Sequence, residues 1–316
     1  MNEIVVLDGH TLNPNDMSWG PMERLGNVKV YPRTAPDEVI ERSRDADALI
    51  LNKIKMTREV IEQLPKLSYI GLMATGFDNI DVKAAREAGI TVSNVPGYST
   101  PSVAQHTFAL ILQLSNRVAL HNESVHDMEW VRSADFSYYK HPLTELWNKT
   151  IGLVGYGAIS KAVERIANSF GMNVLIVSKH ADKAEFGRIV PLDELLRKSD
   201  IVSLHTALTG ESAGMIDAEA LKKMKSSAWL INTARGGLIN EDDLARALGN
   251  GTIAAAAVDV LSKEPPAADN PMLEAPNCII TPHISWASTE SRQRLMQDLV
   301  DNLKAFQQGS PINVIN

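Results

Sequence analysis

The chain has 316 residues, of which 44% are hydrophobic and 22% charged, and a formal net charge of −7. These proportions are typical of a globular protein and exclude the disordered, collagen-like and disulfide-scaffold classes, and the length suits two domains of ordinary size. The negative charge argues against a general attraction to nucleic acid or anionic lipid, so we expect neither as a partner.

The single cysteine, Cys278, excludes an internal disulfide. The first eight residues, MNEIVVLD, lack the basic stretch and the long apolar segment of a signal peptide. No apolar run approaches the roughly 20 residues that a membrane span needs. We therefore expect a cytoplasmic protein.

Apolar runs alternate with amphipathic stretches in the first part of the chain, a pattern that predicts a parallel sheet covered by helices. Helical patterns extend over Thr57–Leu64 and Asp81–Ala88, with Thr57 and Asp81 as N-caps and Gly89 as a stop. The predicted strands are Ile4–Leu7, Val28–Tyr31, Ala48–Leu51, Tyr69–Met73 and Ile90–Val92.

A long apolar helix is predicted over Pro101–Val118, with the proline in its first turn. The following residues, 122–147, are polar and aromatic with little periodicity. They suggest an excursion from the compact domain, either a packed surface loop or an arm that contacts another subunit.

The second half repeats the alternation. Its predicted strands are Ile151–Val154, Val174–Val177, Ile201–Leu204, Trp229–Ile231, Ala255–Val258 and Cys278–Thr281. Its predicted helices include Ala158–Phe170, Leu192–Lys198, Ala218–Met224 and Glu241–Leu248. Two α/β units fit this pattern better than one large sheet.

The strand before Gly155 runs into the sequence Gly155-x-Gly157-x-x-Ser160 and then into a helix. A dinucleotide site needs the first glycine for a tight turn and the second so that the pyrophosphate can approach the backbone, and the helix N-terminus supplies N–H groups. Ser160 replaces the third glycine, and its small side chain still suits close packing. A tight turn without a ligand is the alternative.

An NAD site usually has an acidic residue about 20 residues after the glycines, where it binds the ribose hydroxyls. Here the strand Val174–Val177 is followed by Ser178, Lys179 and His180, and the first acid is Asp182. A hydroxyl, a lysine and a histidine can bind a 2′-phosphate instead, which favours NADP over NAD. The alternative is an ordinary solvated loop.

An arginine, a glutamate and a histidine each follow the end of a predicted strand: Arg235, Glu264 and His283. In an open parallel sheet, ligands bind beyond the carboxyl ends of the strands. Each residue alone has an ordinary explanation, as a surface ion pair, a loop charge or a buried ring. Together they form a coherent site.

These motifs resemble those of the D-isomer-specific 2-hydroxyacid dehydrogenases, and most closely the glycerate dehydrogenase and hydroxypyruvate reductase branch. The resemblance covers nearly the whole chain and departs from the family pattern at Gln105, Ser160 and Ser178. The motifs are ATGFDNID (74–81), VSNVPGY (92–98), the glycine turn, NTARGG (232–237), Asp259-Val260 with Glu264-Pro265, and TPH (281–283), with FSYYKHP (136–142) and WAS (286–288) indicating the branch.

The resemblance implies two Rossmann-like or flavodoxin-like, doubly wound parallel-sheet domains with the active site in the interdomain cleft. Residues 1–98 plus 287–316 would form the substrate-binding domain, and residues 99–286 the NAD(P)-binding domain. The segment at about 122–147 would be a dimerisation arm, so a homodimer is expected.

The resemblance also implies the roles of the site residues. His283 would donate a proton to the keto oxygen, Glu264 would orient its ring and stabilise its cationic form, and Arg235 would bind the substrate carboxylate. The implied cofactor-binding residues are Gly155, Tyr156, Gly157, Ala158, Ile159, Ser178, Lys179, His180, Thr206, Thr233, Ala234 and Asp259. The implied substrate-binding residues are Asn52, Lys53, Ala74, Thr75, Gly76, Arg235, His283 and Trp286.

The expected reaction is hydride transfer between a nicotinamide and C2 of a small 2-keto or 2-hydroxy acid. The expected substrate pair is hydroxypyruvate and D-glycerate, with glyoxylate as a further substrate. The alternative activity is that of a D-lactate or phosphoglycerate dehydrogenase. A nucleotide-sensing corepressor is the non-enzymatic alternative. A metal site is not expected, because His121 and His126 are five residues apart whereas a helical zinc pair needs four.

Overall fold

The computed structural model describes residues 3–316, which divide into two compact units. One unit contains residues 3–99 together with Ala287–Asn316, and the other contains Thr100–Trp286. The strands are β1 (Glu3–Val6), β2 (Asn27–Val30), β3 (Ala48–Leu51), β4 (Tyr69–Leu72), β5 (Thr91–Ser93), β6 (Thr150–Val154), β7 (Asn173–Val177), β8 (Arg188–Ile189), β9 (Ile201–Leu204), β10 (Trp229–Asn232), β11 (Ala255–Val258) and β12 (Cys278–Ile280).

Helices connect most of these strands, and three-residue or four-residue 3₁₀ turns occur in some of the loops. The helices are α1 (Gly20–Glu23), α2 (Val39–Ser43), α3 (Arg58–Ile61), α4 (Val82–Glu87), α5 (Thr100–Asn116), α6 (Val118–His126), α7 (Ala158–Ser169), α8 (Leu192–Lys198), α9 (Ala218–Lys223), α10 (Glu241–Gly249) and α11 (Thr289–Gln307).

The first unit contains a parallel five-stranded sheet in the order β2-β1-β3-β4-β5. This is the flavodoxin-like order of a doubly wound sheet. The C-terminal helix α11 belongs to this unit and buries Leu295, Leu299 and Leu303, which recur every four residues and so lie on one helical face. Tyr69 of β4 and Phe306 of α11 pack with their ring centroids 4.8 Å apart.

The second unit contains a parallel seven-stranded sheet in the order β12-β11-β10-β9-β6-β7-β8. Side chains alternate along a strand, and the buried neighbours Leu230 and Ile231 of β10 accordingly enter two different apolar clusters. Both faces of the sheet are therefore covered, as parallel sheets require. The prediction of two parallel-sheet α/β units is confirmed.

The predicted long helix and the excursion after it need a correction. Helix α5 ends at Asn116 because Arg117 adopts a left-handed backbone conformation, with φ of 47°, and α6 then covers Val118–His126. Part of the segment 122–147 is therefore helical, and residues 127–147 contain no further helix or strand.

Smaller differences concern short elements. The two-residue strand β8 was not predicted, because two residues at a sheet edge leave no periodic pattern. Asp81 caps α4 by accepting the Ala84 N–H at 2.8 Å, as expected. Thr57 precedes α3, but the prediction that it caps this helix is wrong, since its side chain accepts no backbone N–H there.

Candidate active site

The carboxyl edge of the seven-stranded sheet collects most of the predicted site residues, because all its strands run in the same direction. Strand β6 lies between β7 and β9. The chain places β7 and β8 on one side of β6 and β9 to β12 on the other, so the strand order reverses at β6, as at a nucleotide-binding switch point. Gly155–Ile159 follow β6, Ser178–His180 follow β7, Thr206 follows β9, Thr233–Arg235 follow β10, Asp259 and Glu264 follow β11, and His283 and Trp286 follow β12.

The turn after β6 requires glycine at its first position. Gly155 has a φ of +99°, a region that L-residues rarely adopt, and a Cβ built on it would lie 2.5 Å from the His205 carbonyl oxygen. Thr206 is also close, with its backbone nitrogen 3.0 Å from that Cβ. The turn after β6 and the end of β9 are therefore packed backbone against backbone.

The N-terminus of α7 suits an anion. Gly157 is its N-cap, no side chain caps the helix, and a Cβ on Gly157 would meet nothing within 4 Å. The first N–H groups of the helix, beginning with Ala158 and Ile159, carry the positive end of the helix dipole. A pyrophosphate fits this glycine-lined surface. Ser160 occupies the packing position of the third glycine, fully buried, and its hydroxyl has no hydrogen-bond partner among residues 3–316.

The residues after β7 form a turn with an exposed cation. The Ser178 hydroxyl accepts the N–H groups of His180 at 3.2 Å and Ala181 at 2.9 Å. Lys179 pairs with Glu211 from the loop after β9, and both side chains are largely exposed. An exposed pair of this kind is screened by water and is weak, so a phosphate can replace Glu211 as the partner of Lys179.

His283 and Glu264 form a close pair. The His283 Nδ1 lies 2.6 Å from a Glu264 carboxylate oxygen, and both side chains are partly exposed. The other carboxylate oxygen accepts the Leu261 N–H at 3.2 Å. Because Nδ1 is engaged with a carboxylate, Nε2 is the ring atom that can exchange a proton with a bound molecule.

The loop that carries His283 is held by Asp259, whose side chain is buried. One carboxylate oxygen accepts the Thr281 hydroxyl at 2.6 Å and the Ile284 N–H at 2.9 Å, and the other accepts the Ser285 N–H at 2.8 Å. These bonds hold His283 in a left-handed conformation, with φ of 55°, which is unfavourable for a residue with a side chain.

A histidine on α5 supports the same loop. His106 Nε2 lies 3.1 Å from the Thr281 hydroxyl and 3.6 Å from the Asp259 carboxylate. The loop of His283 is thus supported from the end of β11 and from α5.

The turn that carries Arg235 is also constrained. The Asn232 side chain accepts the Ala234 N–H at 3.0 Å and donates to the Arg235 carbonyl at 2.9 Å. A Cβ on Gly236 would lie 1.9 Å from the Leu261 carbonyl carbon, so only glycine fits after the arginine. Thr233 is buried, and its hydroxyl lies 3.1 Å from that of Thr107.

The other predicted substrate-binding residues lie in the first unit, at the carboxyl ends of β3 and β4. The buried carboxylate of Asp8, which follows β1, accepts the N–H groups of Asn52 at 2.8 Å and Lys53 at 2.7 Å. Burial raises the pKa of Asp8 despite these two bonds. The Asn79 amide donates to the carbonyls of Asn52 and Ile54 at 3.1 and 2.7 Å, so this loop is held from two sides.

The loop after β4 contains Ala74, Thr75 and Gly76. The Thr75 hydroxyl donates to the Val95 carbonyl at 2.8 Å, and the Asn94 amide donates to the Thr75 carbonyl at 2.7 Å. The predicted residues therefore form two groups, one at the carboxyl edge of each sheet.

Several residues of these networks were not predicted as site residues, among them Asp8, His106 and Glu211. Asp8 could have been found, because it follows the first strand directly and so belongs to the same sheet edge as Asn52. His106 lies on a helix and Glu211 lies in a loop, and their contacts join residues far apart in the chain. No local pattern in the sequence reports such contacts.

Comparison with known proteins identifies the family. Residues 108–285 match the model of the D-isomer specific 2-hydroxyacid dehydrogenase, NAD binding domain. The chain is 47% identical to a hydroxypyruvate reductase of Blautia hydrogenotrophica over 99% of both chains, and 41% identical to a glycerate dehydrogenase of Methylorubrum extorquens over 99% of this chain and 98% of that protein.

The chain belongs to the D-isomer-specific 2-hydroxyacid dehydrogenase family. Its structure also resembles that of an acyclic imino acid reductase solved with NADPH and D-Arg, with a TM-score of 0.88, 31% identity, and coverage of 99% of this chain and 100% of that chain. The matched residues 108–285 lie within the second unit, which carries the glycine turn, so a dehydrogenase with a nicotinamide cofactor is the class of protein that the family establishes.

Two further observations concern the part of the chain that the structure describes. It contains no group of three or more histidine, cysteine, aspartate or glutamate side chains arranged to hold a metal ion. Between residues 3 and 316, no helix combines the length and the apolar character needed to cross a membrane.

We expect Asp259→Asn to lower the free energy of unfolding by about 1–3 kcal/mol, because the amide retains one acceptor oxygen for three donors and leaves a buried donor unpaired. Urea unfolding followed by circular dichroism measures this change. Asp242→Asn, at an exposed position in the first turn of α10, is the matched control and should change the value by less than about 0.5 kcal/mol. Equal effects of the two substitutions would contradict the role of Asp259.

Proposed function

We propose that the protein is an NAD(P)-dependent reductase that converts hydroxypyruvate to D-glycerate and also reduces glyoxylate. The observation that carries this proposal is the 2.6 Å contact between His283 and Glu264. These residues follow β12 and β11, which continue the sheet beyond β10, the strand that ends before Arg235. The relatives named hydroxypyruvate reductase and glycerate dehydrogenase support the choice of acid, as does a glyoxylate reductase of Korarchaeum cryptofilum that is 39% identical over 88% of this chain.

In this mechanism the His283 imidazolium protonates the keto oxygen through Nε2 as negative charge develops on that oxygen. Glu264 stabilises the cationic ring and fixes its orientation through Nδ1. The planar guanidinium of Arg235 binds the substrate carboxylate and polarises the keto group. When bound, the nicotinamide supplies the hydride for C2. In the oxidative direction, neutral His283 accepts the hydroxyl proton.

The substrate carboxylate would also accept backbone N–H groups from the loops of the first unit. We assign this role to Ala74, Thr75 and Gly76, with Asn52 and Lys53 contributing from the neighbouring loop. Trp286 would form part of the apolar surface around the substrate. A phosphorylated acid would require a cluster of cations, and Lys53 and Lys55 are the cations next to Asn52, so phosphohydroxypyruvate ranks below hydroxypyruvate.

The cofactor would lie along the carboxyl edge of the seven-stranded sheet, with its pyrophosphate on the turn Gly155–Ile159. Thr206, Thr233 and Ala234 would contact it further along this edge. The family resemblance implies a cofactor contact for Asp259, but its oxygens already bind three donors. We therefore assign its main effect to the orientation of His283.

We propose that NADPH is the preferred reductant. Ser178, Lys179 and His180 replace the acidic residue that would repel a 2′-phosphate, and the exposed pair of Lys179 with Glu211 can open to receive one. The complex of the related imino acid reductase with NADPH is consistent with such a site in this fold.

Oxidation of NADPH and NADH by the purified protein, followed by absorbance, tests both choices. We expect hydroxypyruvate and glyoxylate to be reduced faster than pyruvate and 3-phosphohydroxypyruvate, and NADPH to be used more efficiently than NADH. Faster turnover with NADH would overturn the cofactor choice alone. Tight nucleotide binding without turnover of any of the four acids would instead favour the nucleotide-sensing alternative.

We expect His283→Ala to reduce kcat by roughly 10²–10⁴-fold, because the developing alkoxide loses its proton donor. Arg235→Ala should also abolish efficient turnover, through the loss of carboxylate binding. Both variants should retain the wild-type affinity for the nucleotide, measured by fluorescence titration. Arg246→Ala, at an exposed arginine of α10, is the control and should keep full activity. Turnover like the wild type in either active-site variant would contradict the mechanism.

We also propose that the protein is a homodimer. The segment after α6 exposes large apolar side chains, among them Phe136 at 91%, with Trp130, Val131, Tyr139, Leu143 and Trp147 also exposed. Apolar surface of this kind usually marks a contact with another protein, and a second copy of the chain agrees with the arm that the family resemblance implies.

Sedimentation velocity tests this association. Phe136→Asp should convert dimers to monomers, since burying a carboxylate without a partner is unfavourable. Leu273→Asp, at an exposed leucine outside the segment, should leave the dimer intact. A wild-type protein that sediments as a monomer at micromolar concentration would overturn the proposal.

A further inference from the structure

A glutamate on helix α7 is fully buried and fully hydrogen-bonded. Glu164 accepts the Tyr156 hydroxyl at 2.6 Å through one oxygen, and the N–H groups of Phe186 at 2.8 Å and Gly187 at 2.7 Å through the other. Burial opposes the charge of this carboxylate, but the three donors outweigh it and keep the pKa of Glu164 lowered. The group is therefore an ionised acceptor at neutral pH.

Tyr156 connects this carboxylate to the glycine turn, because it lies between Gly155 and Gly157. Its hydroxyl donates to Glu164 and accepts the Glu185 N–H at 3.0 Å. The ammonium of Lys161 lies 5.3 Å from the Tyr156 ring centroid. One side chain thus joins the pyrophosphate-binding turn to the segment before β8.

The segment from Ser178 to Gly187 connects β7 to β8 and begins with the three residues assigned to the 2′-phosphate. Its far end is closely packed, since a Cβ on Gly187 would lie 2.8 Å from the Val174 carbonyl oxygen. Arg165, the residue after Glu164, adds an exposed ion pair with Glu185 at 2.8 Å. The side chains of α7 therefore hold three consecutive residues of this segment, from Glu185 to Gly187.

We propose that Glu164 is a positioning residue for the adenosine-ribose half of the nicotinamide nucleotide. Through Tyr156 and the backbone of Phe186 and Gly187, it holds the segment 178–187 at a set distance from the glycine turn. This inference rests on the proposed function, which assigns that turn and segment to the nucleotide. A segment held in place before binding loses less conformational entropy on binding, and affinity rises accordingly.

The test compares Glu164→Gln with Asp217→Asn. The glutamine keeps one acceptor oxygen in place of two, so either the Tyr156 hydroxyl or the N–H groups of Phe186 and Gly187 lose their acceptor. Asp217 accepts the Ala220 N–H at the start of α9 and provides a similar loss of a carboxylate acceptor. We expect Glu164→Gln to weaken the binding of NADPH by roughly 10–100-fold, the effect of losing a hydrogen bond to a charged group. Asp217→Asn should leave NADPH binding unchanged.

Fragments of the cofactor separate positioning from a general loss of structure. In Glu164→Gln, the affinity for adenosine 2′,5′-bisphosphate and for AMP should fall by the same factor as that for the whole nucleotide. The affinity for reduced nicotinamide mononucleotide, which lacks the adenosine half, should stay at the wild-type value. The kcat at saturating nucleotide and the KM for hydroxypyruvate should change little, because the loss is confined to nucleotide affinity.

Tyr156→Phe is a second variant that removes only the bridging hydroxyl, and it serves if the glutamine variant does not fold. It should weaken the binding of the same adenosine fragments. Hydrogen exchange at the Glu185, Phe186 and Gly187 amides should accelerate in both variants. Wild-type affinities in both variants would overturn the inference and leave the reductase assignment standing. Equal losses for the adenosine and nicotinamide fragments would also overturn it.

Discussion

The position of the His283 imidazole depends on one buried carboxylate. Asp259 leaves the end of β11 and receives three donors from the residues on either side of His283. Each donor would be costly to bury without an acceptor, so the loop has one favourable arrangement. The left-handed backbone at His283 is maintained by those bonds, and the ring then reaches Glu264 at 2.6 Å. The orientation of the ring, on which its proposed acid–base role depends, is therefore set by a group that need not touch a substrate.

The parallel sheet explains how a few loop residues can form the candidate site. Each strand delivers the residue after it to the same edge, so short loops bring together side chains from distant parts of the sequence. Small residues keep those loops close to the strands: Gly155 packs against the end of β9, and Gly236 packs against Leu261. The loops that contain the candidate site residues are fixed by tight turns at glycine and by side-chain hydrogen bonds to the backbone, such as those of Asn232. These turns are positioned in turn by the strands that precede them.

The parts of the molecule that were predictable from the sequence are those with local causes. Strand positions follow from short apolar runs, and the glycine turn follows from the spacing of Gly155 and Gly157. The strand-end rule selected Arg235, Glu264 and His283. The pairing of Glu264 with His283 came from the family resemblance, since nineteen residues separate them and no rule of spacing relates them. Glu164 could not be recognised, because a glutamate on an amphipathic helix is normally exposed and only the folded chain reveals its three donors.

The buried carboxylate of Asp8 affects both the pH dependence of stability and the arrangement of a loop. Burial raises its pKa in the folded protein above the value of an unfolded chain. Thermodynamic linkage then sets the sign: its favourable contribution to stability is complete only in acid and is lost as the pH rises through the raised pKa. The ionised carboxylate therefore makes the native state less stable at neutral pH than it is in acid. Its two oxygens nevertheless align the amides of Asn52 and Lys53, so the group that makes stability depend on pH also organises the loop.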